Sequence, residues 1–176
     1  MEGEPMRNRQ EIVNDAVCSS LEHIIATQSI STVFQSIVDL RTGGLMGYEA
    51  LSRGAFPLSN PTLMFEIAER CGLSWDLDRE CRIAALRRIA ALAPEKREKT
   101  FFINVNPRSI TDGRAVEGLT LSAMKGFGIP QDRIVIEVTE TARITDYAAF
   151  RSRYGTMRAR GIALPWMISD PAIAAS

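Results

Sequence analysis

Little in this sequence points to a membrane, a secretory route or a charged polymer. No apolar run approaches the roughly 18 residues of a membrane span, and the opening MEGEPMRNRQ lacks the basic-then-apolar order of a signal peptide. The 21 Lys plus Arg are matched by 21 Asp plus Glu, so the whole-chain charge offers no electrostatic footprint for nucleic acid or a membrane surface. Any phosphate binding must be local. Cysteine is scarce: Cys18, Cys71 and Cys81 are odd in number and fall in apolar helical patterns. That reads as buried free thiols rather than a disulfide framework or zinc site, and it predicts a reducing, cytoplasmic compartment. The single histidine, His23, lies in the leader and reads as a surface or packing residue rather than a general base. Trp75 and Trp166 read as packing residues. No internal repeat, low-complexity tract or interdomain linker is present. The 176 residues, 45% of them hydrophobic, suffice for one modest core.

What is present is an alternation of helix-like and strand-like patterns. Residues 9–27 place Ile12, Val13, Ala16, Val17, Leu21, Ile24 and Ile25 near one face of an amphipathic lead-in helix. Residues 32–40 are β-like, Thr42-Gly43-Gly44 supplies turn chemistry, and 45–51 are apolar again, which predicts an opening hairpin. Asn60 is placed to cap a helix with Pro61 at its first position and Gly72 at its end. A second helix is expected from about 76 to 93. Strands follow at 101–105 and 134–138, with helices around 116–125 and 146–160 and an apolar stretch at 161–164. This order predicts an α/β, barrel-like architecture of parallel strands and crossover helices, its apolar strands covered on both faces. Arg87-Arg88 and the run 95–99 read as solvated helix-end charge.

Polar groups interrupt the apolar strands near their C-terminal ends: Glu49 in GYEALSR, Asn104 and Asn106 in FFINVNP, Glu137 and Thr139 in IVIEVTE. Alternation puts Asn104 with Asn106, and Glu137 with Thr139, on common sides of their strands. In a barrel such positions converge on the top face. Two carboxylates and an amide oxygen form a hard, oxygen-rich set suited to Mg²⁺ or Mn²⁺. Taken singly, a strand-end Glu or Asn is more often a cap, a turn or a surface polar group.

Order and context carry more than any single residue. QSIVDLRTGGLMGYEALSR, then FFINVNPRSI, then GIPQDRIVIEVTE, each on a predicted strand, closely resemble the EAL family of cyclic di-GMP phosphodiesterases from about residue 32 to 164. The resemblance implies a TIM-like (β/α) barrel that opens with a β-hairpin. It implies Glu49, Asn104 and Glu137 as metal ligands and Arg53 as a phosphate-contacting arginine. Leu51 and Gln35 fall on the substrate side, and Glu140 positions the loop after the following strand. The proline that usually follows the glutamine is Ser36 here. The implied reaction opens one phosphodiester of cyclic di-GMP to linear pGpG, with divalent cations binding the phosphate and activating water.

The sequence departs from this family after Leu164. Where the family continues with a metal-binding Asp-Asp-Phe-Gly motif, this chain reads PWMISDPAIAAS, and the family's later lysine, glutamate and glutamine have no counterpart. Roughly the last three strands of an eight-stranded barrel are therefore missing. The expected division is a leader at 1–30, a partial EAL domain at 31–164 and a non-homologous tail at 165–176. Trp166 and Met167 have single codons and every Ile168 codon begins with AT, so reading one base earlier spells Asp-Asp. Permitted codons for the rest turn the tail into LDDFGSGYSSL, which implies a one-base deletion just after Leu164. The fragment is expected to lack phosphodiesterase turnover and to self-associate through an exposed barrel edge. The alternative is a degenerate module that binds a nucleotide or a protein without hydrolysis.

Overall fold

The hairpin that starts the sheet is folded by one aspartate. Asp39 Oδ1 accepts hydrogen bonds from the backbone N–H of Arg41 at 2.7 Å and of Thr42 at 3.2 Å. The Asp39 N–H donates to Gly44 O, and Gly43 takes a left-handed φ of 68° that favours glycine. In this computed structural model, which describes residues 9–112, 119–138 and Ser152, the elements follow in the order α1 (Arg9–Ala26), β1 (Ile30–Val38), β2 (Leu45–Gly54), α2 (Pro61–Arg70), α3 (Ser74–Ala90), α4 (Pro94–Arg97), β3 (Thr100–Val105), α5 (Pro107–Thr111), α6 (Leu119–Gly126) and β4 (Ile134–Val138). The described strands form one sheet in the order β1-β2-β3-β4. β1 and β2 are antiparallel, and β2, β3 and β4 are parallel. The expected α/β class and opening hairpin are present.

Helix boundaries follow local chemistry. Asn60 Oδ1 accepts from Leu63 N, Pro61 occupies the first turn of α2, and Gly72 follows with a left-handed φ of 69°. The expected 76–93 helix is α3, shifted to Ser74–Ala90. Pro94 disfavours helical geometry at Ala93, which is extended, and α4 then restarts at Pro94. The charge run at 95–99 thus includes a short helix, and α5, which begins at Pro107, has no counterpart in the sequence reading. The expected helix at 146–160 lies outside the described residues apart from Ser152, which is helical. The stretch 161–164 and the tail lie outside them entirely.

Two apolar clusters hold these elements. One joins Phe101, Ile103 and Val105 of β3 and Ile134 and Ile136 of β4 to Ala85, Leu86 and Ile89 of α3 and Met124 of α6. The other joins Leu21 and Ile24 of α1 to Met64, Ile67 and Ala68 of α2 and Leu77, Cys81 and Ala84 of α3. Each fully buried Leu or Ile contributes about 1.5–3 kcal/mol. The expected apolar face of α1 is used only in part: Leu21 and Ile24 are buried, whereas Val13 is 49% exposed and Ala16 is exposed. The C-terminal half of the helix is the half that docks. His23 lies on the exposed side, as expected.

Burial corrects two expectations. The strands are not equally covered on both faces: β3 alternates, with Phe101, Ile103 and Val105 buried and Phe102 and Asn104 half-buried, and β4 begins in the same way. Runs such as FFINV conceal this because Phe102 is large and apolar on the less covered face. The cysteines are not all free. Cys18 of α1 and Cys71 at the end of α2 form a disulfide with their Cα atoms 5.7 Å apart. An odd count and a separation of 53 residues hide a pair that helix packing brings together. Only Cys81 is a free buried thiol, pushed up to about 12 by burial. A reducing compartment therefore no longer follows from cysteine usage. Among the described residues no helix is long and apolar enough to cross a membrane.

Candidate functional site

Register alone gathers four of the sequence-selected residues. Gln35 pairs with Glu49 across β1 and β2, Glu49 pairs with Phe102, and Asn104 pairs with Glu137. Opposed residues in adjacent strands share a face, so Gln35, Glu49, Asn104 and Glu137 lie on the face turned away from α3. Asn104 Nδ2 donates to Glu49 Oε1 at 2.7 Å. With its nitrogen so engaged, the amide keeps Oδ1 as an acceptor. Glu137 is half-buried, and its carboxyl is pushed above the usual range first by burial and then by the negative charge of Glu49.

Two carboxylates close enough to perturb one another, beside an amide oxygen, make a donor set that a hard divalent cation would stabilise. These residues fit such an ion. They are also few: among the described residues no group of three or more His, Cys, Asp or Glu could hold a metal. Hard cations take about six oxygen ligands, so water or further groups would complete the shell.

Next to this face a cavity of about 400 Å³ lies among β2, α2 and α3, lined by Leu51, Arg53, Phe65, Glu66, Asp78 and Asn104 among others. Asn104 thus belongs to both the acidic face and the cavity wall. Arg53 is half-buried, and its guanidinium donates to the Ser52 carbonyl at 2.8 Å. Gln35 is exposed and is not among the residues lining the cavity. Glu140 and Thr139 lie outside the described residues.

Asn106 differs from the expectation that it continues the strand face of Asn104. β3 stops at Val105, and Asn106 begins a turn in which its carbonyl accepts from Ser109 N at 2.9 Å. Its N–H donates at 2.9 Å to Oδ1 of Asp78, a residue the sequence reading missed. Asp78 is buried and its other oxygen accepts from Arg82, one helical turn on. Burial pushes its carboxyl up, while Arg82 and the Asn106 N–H oppose that. The available signal was an acid and a base four apart amid the apolar positions Leu77, Cys81 and Ala85 of α3.

A sheet that opens with a hairpin and continues in parallel, helices on one face and acid and amide groups on the other define an α/β protein of the TIM-like barrel class. The family model for the EAL domain matches residues 19–165. This chain belongs to the EAL domain family. It is 27% identical over 131 residues to the probable cyclic di-GMP phosphodiesterase PdeI of Escherichia coli strain K12, an alignment covering 71% of this chain and 17% of PdeI. Among solved structures it resembles the Xanthomonas citri FimX EAL domain in complex with c-diGMP, with a TM-score of 0.73 and 16% identity over 88% of this chain and 61% of that one. It also resembles Klebsiella pneumoniae BlrP1 in a manganese and cyclic di-GMP complex, with a TM-score of 0.64 and 28% identity over 77% of this chain and 34% of that one. The chain therefore spans less than two thirds of the length of each of these proteins.

Proposed function

We propose that this chain carries the first part of a metal-dependent cyclic di-GMP phosphodiesterase centre and does not complete the reaction by itself. The carrying observation is the convergence of Glu49, Asn104 and Glu137 on one sheet face beside a cavity that contains Arg53. Glu49, the Asn104 amide oxygen and Glu137 would hold Mg²⁺ or Mn²⁺. A bound cation would polarise a phosphate oxygen and lower the pKa of a water. Arg53 supplies a guanidinium suited to a phosphodiester, Leu51 an apolar contact within the cavity, and Gln35 a polar group paired with Glu49 on the sheet face. Glu140 is proposed to position the loop that follows.

The small ligand set and the tail both support incompleteness. Three protein oxygen donors leave about half of a hard cation's shell to water or further groups, and Met167 and Ile168 stand where the family's Asp-Asp would be read. The proposed organisation is a leader at 1–30, a partial EAL domain at 31–164 on which α1 is docked, and an out-of-frame tail at 165–176. A second reading, a non-catalytic nucleotide-binding module, is favoured by the cavity itself, which is present with Arg53 in its wall.

Incubation of the purified chain with cyclic di-GMP and Mg²⁺ or Mn²⁺, with chromatographic detection of linear pGpG, tests the proposal. No product is expected, and turnover at the rate of an intact EAL enzyme would overturn it. Calorimetric titration with cyclic di-GMP separates the second reading, which requires binding without product.

A further inference from the structure

A buried charged pair, Asp78 with Arg82, their side chains 3% and 11% exposed, touches the candidate site. Neither is among the proposed cation ligands or phosphate contacts. Asp78 Oδ1 receives the Asn106 N–H at 2.9 Å, and Oδ2 receives the Arg82 guanidinium. The same carboxylate lies in the wall of the 400 Å³ cavity with Asn104 and Asn106.

The sequence around Asn106 explains why an acceptor is needed there. The β3 ladder ends at Val105, and Pro107 has no N–H, so Asn106 carries the last backbone donor before α5. Val105 and Pro107 on either side of it are buried. An N–H at such a place costs about 1–3 kcal/mol if left without a partner. A carboxylate makes a shorter, stronger bond to it than a neutral acceptor would. The Arg82 guanidinium compensates that carboxylate within α3. Asp78 therefore pins the C-terminal end of β3 to α3. Asn104 is two residues before the pinned amide, and its side chain spans 2.7 Å to Glu49.

We propose that Asp78 is a positioning residue: by holding the Asn106 N–H it sets the end of β3 so that Asn104 meets Glu49 in the arrangement that receives a cation. This inference rests on the reading of Glu49, Asn104 and Glu137 as a cation site. Ligating groups must be held within about 0.5 Å by supporting residues, and loss of such support typically costs 10–100-fold in metal affinity.

Two double variants of the full chain separate positioning from general stabilisation. Asp78→Asn with Arg82→Met removes the ion pair but keeps an acceptor oxygen for Asn106, whereas Asp78→Leu with Arg82→Met removes both. Hydrogen exchange by mass spectrometry is read over 101–109 and over α2 as an internal reference, and Mn²⁺ binding is read by electron paramagnetic resonance. The leucine variant is expected to exchange at least about tenfold faster over 101–109 than the asparagine variant, with α2 unchanged between them, and to bind Mn²⁺ about tenfold more weakly. Equal exchange over 101–109 in the two variants overturns the proposal, as does faster exchange over α2 and 101–109 alike. Equal Mn²⁺ affinity also overturns it. If the wild-type chain binds no Mn²⁺, the cation reading fails separately, and the exchange comparison alone decides whether Asp78 sets the end of β3.

Discussion

Asn104 and Glu49, 55 positions apart in the chain, are joined by a 2.7 Å hydrogen bond from the amide nitrogen to the carboxylate. That bond orients the amide as well as linking β2 to β3. An Asn104→Asp substitution removes the donor and places a third carboxylate beside Glu49 and Glu137. The variant is expected to be less stable to urea at neutral pH by about 1–3 kcal/mol, with the deficit shrinking as the carboxylates protonate. Equal midpoints for wild type and variant at both neutral and mildly acidic pH would show that the bond contributes nothing.

Glu137 predicts a pH dependence of defined sign. Its folded pKa is raised, by burial and by Glu49, above the ordinary glutamate value. Its contribution to stability is therefore present below the unfolded pKa and lost as pH rises through the folded one. Glu137→Gln is expected to reduce the fall in urea midpoint between about pH 4 and pH 7, since a neutral amide has nothing to deprotonate. An unchanged pH slope would contradict the shift.

The Cys18–Cys71 bond closes a long loop between α1 and α2. Reduction, or Cys18→Ser, is expected to lower stability by about 2–4 kcal/mol, read from the thermal midpoint with and without reductant. Thiol titration gives an independent check. The native chain should show no reactive thiol, the denatured unreduced chain only Cys81, and the reduced denatured chain all of Cys18, Cys71 and Cys81. Rapid labelling of Cys18 in the untreated native protein would exclude the bond.

The proposed out-of-frame tail predicts a gain of function. Restoring one base after the Leu164 codon should encode Leu-Asp-Asp-Phe-Gly and let translation continue in the family's frame. The resulting protein is expected to release linear pGpG in Mg²⁺ or Mn²⁺, where none is expected from the present chain. A restored protein that folds yet stays inactive would argue against the ligand set proposed for Glu49, Asn104 and Glu137.

Much of the fold was legible because its signals are local. Asn60, Pro61 and Gly72 mark α2 through capping and backbone geometry that need no distant partner. The turn at 39–44 is likewise carried by Asp39 and the glycines beside it. Glu49, in the middle of β2, and Asn104 and Glu137 near the ends of β3 and β4 were visible because polar groups in apolar runs are conspicuous. Asp78 was not, because an Asp-Arg pair four apart on a helix is ordinarily a solvated pair, and only burial changes its meaning.

By itself, the sequence determined the order of the main strands and helices, the hairpin, the family and the identity of the polar strand groups, since each depends on residue type and short-range spacing. The tertiary structure decided which residues meet: Asn104 with Glu49, Asp78 with Asn106, and Cys18 with Cys71. It also decided which sheet face the helices cover. Those outcomes depend on sheet register and on the docking of α1, α2 and α3, in which residues far apart in the chain lose solvent together, and no local pattern encodes that loss.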